Sequence, residues 1–223
     1  MSFFITLLEM TDNSRREFEA IPTMNSMINR GLSLAEYKAF LHDLYYIVWH
    51  FVPTIGAAAS RCDDRFRNVR YELYERVEEE KNHETWVLDD VEAIGGDVNR
   101  VRSQQPSSPV QCMLAFNYYC ADRGHPCSIL GMLYSLEVIA SAYAATLSQS
   151  IAKTLGRDMD GPGFKFLLSH STMDQDHVAK LNVLMKTIDD PAAQEAIINA
   201  TRVNFYQFGR MFYDGGFTSL IPG

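Results

Sequence analysis

The chain has 223 residues, of which 47% are hydrophobic, 22% charged and 12% aromatic, and this composition predicts one soluble globular domain over residues 1–223. With 13 glycines, 8 prolines and no low-complexity tract, it is neither collagen-like nor intrinsically disordered. A net charge of -8 would repel phosphate backbones and anionic lipid surfaces, so neither nucleic acid nor a membrane is an expected partner.

The cysteine content and the first residues predict a cytoplasmic location. The four cysteines contain no Cys-x-x-Cys pair and are too sparse for a disulfide scaffold, which indicates a reducing compartment. No basic segment precedes Glu9 and Asp12, and no small-residue cleavage site follows an apolar stretch, so a signal peptide is not expected.

The spacing of the apolar residues predicts an all-α fold. These residues recur three and four positions apart, and the alternating pattern of short strands bounded by Asn-Gly or Asp-Gly turns is missing. Seven or eight helices with short connections are typical of a single compact bundle, in which a ligand site forms between facing helices. The predicted helices cover residues 3–20, 22–31, 33–52, 64–94, 110–122, 128–154, 166–187 and 190–213.

Capping and breaking residues define several of these boundaries. Ser33 and Glu36 have the spacing of a capping box, and Asp190 before a proline is typical of a helix N-terminus. Pro53 is expected to kink or break the third helix, because it cannot donate a backbone hydrogen bond. Residues 97–109, rich in Gln, Ser and Pro, are predicted as a connecting loop.

Glu137 is the one carboxylate in the apolar run 129–147. The run is barely long enough to span a membrane and lacks flanking aromatic and basic belts, so we interpret it as a buried helix. A buried carboxylate is costly unless it is protonated, paired with Arg or Lys from another helix, or bound to a metal. The residues of this run leave the three explanations open.

The segment around residue 174 places three metal-binding side chains on one helix face. His170, Asp174 and His177 stand at positions i, i+4 and i+7 of a predicted helix. Imidazole nitrogens and carboxylate oxygens in this arrangement suit iron, manganese or zinc. The alternative is a pair of histidines that cap a helix or are hydrogen-bonded within the core.

The charged helix over residues 64–94 adds a second candidate motif. Glu80 and His83 form Glu-x-x-His, the element that carboxylate-bridged dimetal bundles take from a helix. A run of charged residues on a helix is also typical of a solvated face, and most carboxylates of this helix are expected to be solvated. By itself, the motif does not distinguish these two interpretations.

Together, the three motifs amount to a ligand set for two metal ions. The set has three imidazoles and three carboxylates, and the carboxylates would offset most of the charge of two divalent ions. Because sulfur ligands are absent from the set, iron or manganese fits better than structural zinc. The predicted ligands are Glu80, His83, Glu137, His170, Asp174 and His177.

The order and spacing of these six residues resemble the heme-oxygenase-like diiron oxidases and oxygenases, within the superfamily of TenA and PQQ-biosynthesis protein C. The family pattern has a Glu and a His on one helix, a Glu on a later apolar helix, and His-x3-Asp-x2-His farther on. Residues 78–97, a Glu-rich, His-containing helix followed by a Gly turn, are similar to the family as well. The resemblance covers most of the chain and implies a fold like that of heme oxygenase.

The chain departs from some family members at one ligand position. Several members have the ligating Glu seven residues before the His, where this chain has Arg76, and others have it three residues before, which matches Glu80. Glu79 is the rival ligand. His50 on the earlier apolar helix is a further candidate neighbour of the site, although a lone His on such a helix is more often a core residue.

The resemblance implies a cofactor of two iron ions, Fe2+ or Fe3+, with Mn2+ as an alternative. Such enzymes use dioxygen to oxidise or oxygenate a small organic substrate, for which a carboxylic or amino acid is one candidate class. Arg123 or Lys165 could hold a substrate carboxylate, although a solvated surface position is the plainer interpretation of each. An electron donor and a homodimer are further expectations from the superfamily.

Two other classes of function remain open from the sequence. One is a metal-free oxidase like PQQ-biosynthesis protein C, or a TenA-like thiaminase that uses a cysteine nucleophile. The other is a non-catalytic helical binding protein in which the same side chains form a buried ion-pair network. Such a network needs cations inside the cluster, whereas the six matched positions offer only histidine.

Overall fold

The computed structural model describes residues 2–213 of the protein. Helices account for nearly all the regular structure of these residues. No strand occurs among these residues, which confirms the predicted all-α class. Short 3-10 turns at Asp64–Phe66 and Pro126–Ser128 lead into two of the helices. The α-helices of the described residues are α1 (Phe3–Glu19), α2 (Pro22–Arg30), α3 (Leu34–Arg61), α4 (Arg67–Glu80), α5 (His83–Ala93), α6 (Val98–Ser103), α7 (Ser108–Asp122), α8 (Ile129–Leu155), α9 (Lys165–Met185) and α10 (Pro191–Arg210).

The apolar helix α8 lies at the centre of the bundle. It packs along α9 and α10 and also contacts α2, α3 and α7. Within the described part of the chain, one helical stretch, Pro126–Leu155, is long and apolar enough to cross a membrane, and 67% of its most apolar window is buried. Such burial on several sides is typical of the core helix of a bundle.

The remaining helices complete the wall around this core. α3 packs against α4, α5 and α7, and α1 packs against α10. α5 also contacts α9, so the first residues of α5 lie next to the middle of the bundle. This arrangement brings the predicted ligand positions of α4, α5, α8 and α9 to one interior region.

The charged stretch over residues 64–94, predicted as one helix, forms two helices instead. Lys81 is extended and Asn82 has a left-handed backbone with φ of 69°. Asn adopts this conformation more readily than other non-glycine residues, because its short polar side chain can hydrogen-bond locally. The prediction was therefore wrong at this point: Glu80 ends α4, and His83 begins α5.

Two further boundaries differ from the sequence predictions. α3 continues through Pro53 without ending, and the Thr54 hydroxyl donates a hydrogen bond of 2.6 Å to the His50 carbonyl. The packing of α3 against three other helices outweighs the backbone hydrogen bond that the proline removes. In the predicted loop, residues 98–103 form the short helix α6, because Asp97 accepts two backbone N–H groups of its first turn.

Two predicted helix starts are confirmed. At the start of α3, the Ser33 side chain accepts the backbone N–H of Glu36, and the Glu36 carboxylate accepts that of Ser33 at 2.8 Å. At the start of α10, the Asp190 carboxylate accepts the N–H of Ala193 at 2.8 Å. Local sequence defines these ends because capping needs contacts within only one turn.

Two buried aspartates cap helices other than their own. Asp43 on α3 accepts the backbone N–H of Ser107, directly before α7, at 2.7 Å. Asp90 on α5 accepts the N–H groups of Lys165 and Phe166, the first residues of α9, each at 2.9 Å. These bonds satisfy N–H groups that have no partner within their own helix and fix how the helices join.

The contact between α8 and α10 depends on a glycine. A Cβ added at Gly131 would lie 2.5 Å from the Ile197 carbonyl oxygen and 2.7 Å from the Thr201 nitrogen. Both atoms belong to the backbone of α10, so no side-chain rotation could relieve the overlap. Gly131 therefore lets the two helix backbones approach each other closely.

Candidate metal centre

Three imidazoles and two carboxylates meet where α4, α5 and α9 converge, and all five residues are buried. His83 Nδ1 lies 2.9 Å from Glu80 Oε2 and 3.3 Å from His170 Nε2. His177 Nδ1 lies 3.2 Å from Asp174 Oδ1 and 3.5 Å from Glu80 Oε1. The structure therefore brings five of the six predicted ligands into direct contact, and the sixth, Glu137, lies 3.9 Å from His177.

These side chains form two groups that share one carboxylate. Ligand atoms of Glu80, His83 and His170 all lie within 4.8 Å of one another, and so do those of Glu80, Asp174 and His177. Each group offers imidazole nitrogen and carboxylate oxygen, the donors that iron and manganese take in proteins. Glu80 is the residue that belongs to both groups.

Helix geometry and the cap from Asp90 place these donors. His170, Asp174 and His177 lie on one face of α9, as their spacing predicts. Asp90 lies on α5, two turns after His83, and its hydrogen bonds hold the start of α9 against α5. The sequence interpretation did not single out Asp90, because a pair of aspartates in a charged helix has the pattern of a solvated face.

Hydrogen bonding keeps the shared carboxylate ionised. Burial acts to raise the pKa of Glu80, but hydrogen bonds and charge interactions with His170 and His83 outweigh it and lower that pKa to about 2. Burial raises the pKa of Asp174, although the His177 hydrogen bond opposes this rise. An ionised Glu80 is the form that a metal cation needs.

Backbone and aromatic contacts orient two of the imidazoles. His170 Nδ1 lies 3.0 Å from the Phe166 carbonyl oxygen, which can only accept, so this nitrogen carries the proton and Nε2 faces the cluster. The Phe166 ring stacks on His170 with centroids 4.0 Å apart, and Trp86 stacks on His83 at 3.9 Å. The sequence interpretation missed Trp86 and Phe166, whose spacing is that of ordinary core residues.

The sixth predicted ligand, Glu137, faces a buried cation. Its Oε1 atom is 3.2 Å from Nη1 of Arg76 and 3.9 Å from Nδ1 of His177. Burial raises the pKa of Glu137 well above its usual value; Arg76 pulls that pKa down, and the nearby Asp174 and Glu80 raise it further. Tertiary packing thus places beside Glu137 the arginine partner that the sequence left open as one of three explanations, although the six matched positions themselves offer only histidine.

The rival ligand and the candidate neighbour lie outside the two groups. Glu79 is one-third exposed and forms an ion pair with Lys180, while its Oε2 is 3.5 Å from His177 Nε2. Glu80 is the buried member of this pair of glutamates. His50 has its Nδ1 2.9 Å from the Tyr118 hydroxyl oxygen and does not line the cavity beside the cluster.

An apolar cavity of about 120 Å³ adjoins the cluster. Phenylalanine, methionine and aliphatic side chains from α1, α2, α3, α8, α9 and the end of α10 form most of its wall. No lysine, arginine or cysteine is part of this wall within the described residues. The carboxylate and imidazole side chains that reach it are Glu80, Glu137, His170 and Asp174.

The two candidate cations for a substrate carboxylate lie elsewhere. Arg123 is exposed at the end of α7. Lys165 is half exposed, forms an ion pair of 3.2 Å with Asp89 and lies over the Trp86 ring. Neither side chain borders the cavity.

The helical bundle has a heme-oxygenase-like fold, and its interior holds a cluster of histidine and carboxylate side chains that could bind metal ions. A family model described as iron-containing redox enzyme matches residues 38–205, and the chain belongs to this family. The family description indicates an oxidoreductase. No curated protein matches the sequence.

Solved structures of known proteins agree with this fold. A domain of unknown function with a heme oxygenase-like fold from Shewanella denitrificans OS217 has a TM-score of 0.83 at 19% identity, covering 96% of this chain and 91% of the other. A TenA homolog from Pseudomonas syringae pv. tomato DC3000 has a TM-score of 0.80 at 12% identity, covering 96% and 92%. Heme oxygenase-1 from the cyanobacterium Synechocystis sp. PCC6803, solved with heme, has a TM-score of 0.74 at 15% identity, covering 98% and 95%.

Proposed function

We propose that the protein is a non-heme, dioxygen-dependent oxidase or oxygenase that holds two iron ions and acts on a small organic substrate. The observation that carries this proposal is the pair of donor groups that share Glu80. A single structural ion would need one such group, whereas two groups with a common carboxylate match a dimetal centre. Membership of the iron-containing redox enzymes supports iron as the metal.

The donors present fit two such ions. Glu80, His83 and His170 would hold one ion, and Glu80, Asp174 and His177 would hold the other. Both oxygens of Glu137 are buried without a hydrogen-bond partner among the described residues, which leaves this carboxylate available to the second position. Mn2+ takes the same donors and is the alternative metal.

Bound iron would supply the electrons that activate dioxygen, and the protein controls the surroundings of that chemistry. The Phe166 carbonyl holds a proton of His170 on Nδ1, so the nitrogen that would bind a metal ion, by loss of its own proton, is Nε2. Hydrogen bonds and charge interactions with His170 and His83 outweigh burial and keep Glu80 ionised. The apolar wall excludes water and so strengthens the electrostatic interactions inside the site.

The cavity favours a substrate with an apolar body. Its wall is almost entirely hydrocarbon, and neither Arg123 nor Lys165 reaches it. A free amino acid would lose the hydration of its charged groups there without gaining a protein partner for each of them. Among the candidate classes, an apolar carboxylic acid therefore fits better than an amino acid.

The test is the iron content per chain after anaerobic loading with Fe(II), followed by an absorption spectrum on admission of dioxygen. We expect about two irons per chain and a new visible band, as a dimetal centre requires. His170→Ala and His177→Ala should each lose iron, whereas the control His50→Ala should keep it, since His50 bonds to Tyr118. Full iron in both ligand variants would contradict the ligand assignment.

The two alternatives predict other results in the same experiment. A TenA-like hydrolase with a cysteine nucleophile receives no support from the cavity, whose described wall contains no cysteine. A non-catalytic ion-pair network is supported by the contact between Arg76 and Glu137. Either alternative, or a metal-free oxidase, predicts a folded protein that takes up no iron.

The setting of this activity is part of the same proposal. It comprises a cytoplasmic homodimer supplied by an electron donor. The four free cysteines support a reducing compartment, and the net charge of -8 disfavours nucleic acid and membranes as partners. Sedimentation of the purified protein tests the dimer. A monomer at micromolar concentration would contradict it.

A further inference from the structure

Arg76 is a buried cation beside the second donor group. It lies on α4 one turn before Glu80 and is 0% exposed. Its guanidinium is 3.2 Å from Glu137, 3.5 Å from Glu72 and 3.7 Å from Glu79. Arginine keeps its charge in proteins, so this side chain places a permanent positive charge among carboxylates.

The contacts of this guanidinium are those of charge and not of hydrogen bonding. None of its three nitrogens has a hydrogen-bond partner among the described residues, and neither oxygen of Glu137 has one. Arginine–carboxylate pairs frequently form two parallel hydrogen bonds, which fix the geometry of the pair. Glu137 therefore lies next to Arg76 without being locked in place by a hydrogen bond.

Glu137 stands between the guanidinium and the second donor group. Its Oε1 is 3.2 Å from Arg76 and 3.9 Å from His177 Nδ1, so Arg76 Nη1 lies no more than about 7 Å from that imidazole nitrogen. A cation held by Asp174 and His177 would meet the positive charge of Arg76 in a buried, low-dielectric setting. Among the described residues, His83 and His170 form their ion pairs with Glu80 and none with Glu137, whereas His177 lies 3.9 Å from Glu137.

We propose that Arg76 competes with the metal for Glu137 and so makes the two metal positions unequal. This inference rests on the proposed function. The position formed by Glu80, His83 and His170 fills first, and the position formed by Glu80, Asp174 and His177 fills at higher metal concentration. Arg76 is thus a positioning residue that acts through Glu137.

The experiment is an anaerobic titration of the full chain with Mn(II) or Fe(II) alone, in which calorimetry measures the affinity of each equivalent. In the wild type we expect the second equivalent to bind at least about tenfold more weakly than the first. Arg76→Gln removes the charge and should tighten the second equivalent by about tenfold, while the first changes by about twofold or less. Arg76→Lys keeps the charge and should behave as the wild type.

Lys180→Gln is the matched control. It removes one positive charge near Glu79 from an exposed position, so both equivalents should bind as in the wild type. A melting curve of each variant, with and without metal, adds a second readout. Arg76→Gln should melt earlier than the wild type without metal and show a larger metal-induced rise, whereas a purely structural role would lower both melting temperatures equally.

Glu137→Gln gives an independent measurement if Arg76→Gln does not fold. It should weaken the second equivalent and leave the first unchanged, because only the second position uses Glu137. The inference is overturned if the wild type binds two equivalents and Arg76→Gln or Glu137→Gln leaves the second unchanged. If the wild type binds neither metal, the proposed function itself fails, and the inference fails with it.

Discussion

At the scale of single residues, Asp90 joins two helices that carry metal ligands. Its carboxylate satisfies the N–H groups of Lys165 and Phe166 at the start of α9. We expect Asp90→Ala to lower the free energy of unfolding by about 2 kcal/mol, because two helix N-terminal donors lose their partner. Urea denaturation measures this loss, and metal titration should show weaker binding.

Asp190→Ala is the control for Asp90→Ala. Asp190 caps its own helix, α10, through Ala193 and has no part in the cluster. Its loss should cost about 1 kcal/mol and leave metal affinity unchanged. Unchanged metal binding in Asp90→Ala would contradict the role of this cap in placing α9.

Glu36 provides a pH-dependent contribution to stability. The hydrogen bond from Arg30 outweighs burial and lowers the pKa of Glu36 to about 2. Since the folded-state pKa is below the unfolded one, the contribution is full above pH 4.5 and is lost as the pH falls toward 2. We expect Glu36→Gln to cost about 1 kcal/mol at pH 7.

The difference in unfolding free energy between Glu36→Gln and the wild type should shrink as the pH drops below 4.5. Urea titrations at pH 7, 5 and 4 measure the first part of this decline. Glu9→Gln, at an exposed position without an ion pair among the described residues, serves as the control. A difference that stays constant down to acid pH would show that the capping box acts without its charge.

The sequence could predict the ligands within one helix but not the contacts between helices. His170, Asp174 and His177 share a face of α9 because the helical repeat fixes their spacing. The contact of Arg76 with Glu137 joins α4 to α8, and only tertiary packing sets that distance. For this reason the sequence left the partner of Glu137 open.

At the scale of helices, the backbones of α8 and α10 approach each other closely at Gly131. Gly131→Ala would drive a methyl group into backbone atoms of Ile197 and Thr201. We expect a loss of about 3 kcal/mol in the free energy of unfolding, since backbone must move to admit the methyl group. Urea denaturation gives this value directly.

Gly56→Ala is the matched control within a helix. Gly56 lies in α3 and has no atom within 4 Å of an added Cβ. Alanine should therefore stabilise the protein by about 0.5–1 kcal/mol through its higher helix propensity. If Gly131→Ala were equally stabilising, the close approach of α8 and α10 would be refuted.

Helix boundaries were predictable where a cap lies within one turn of the chain. The capping box at Ser33 and the cap at Asp190 are both present as predicted. The break at Asn82 was missed because the surrounding residues are good helix formers, and neither Gly nor Pro marks the site. The helix-breaking effect of Pro53 was overestimated, since packing against other helices keeps α3 continuous through this residue.

At the scale of the whole molecule, helices from both ends of the sequence enclose the apolar cavity. Its volume of about 120 Å³ is near that of engineered apolar cavities that bind benzene or xenon. We expect benzene to raise the melting temperature of the wild type. Ala144→Phe, at a lining position, should abolish this rise and leave the iron content unchanged.

Ala145→Phe tests whether the effect belongs to the cavity. Ala145 is the next residue of α8, is exposed and does not line the cavity. Its variant should keep the benzene response of the wild type. A response that survives in Ala144→Phe would place the benzene elsewhere in the protein.

The short helix α5 carries His83 at its first position and Asp90 at its eighth. One face of this helix contacts both the cluster and the start of α9. Metal binding and the ordering of the α9 N-terminus are therefore thermodynamically linked. Reciprocity then requires that metal occupancy protect the α9 N-terminus from opening by the same factor by which an ordered α9 tightens metal binding. The rate of hydrogen exchange at the amides of Lys165 and Phe166 would thus report metal occupancy of the cluster in the absence of substrate.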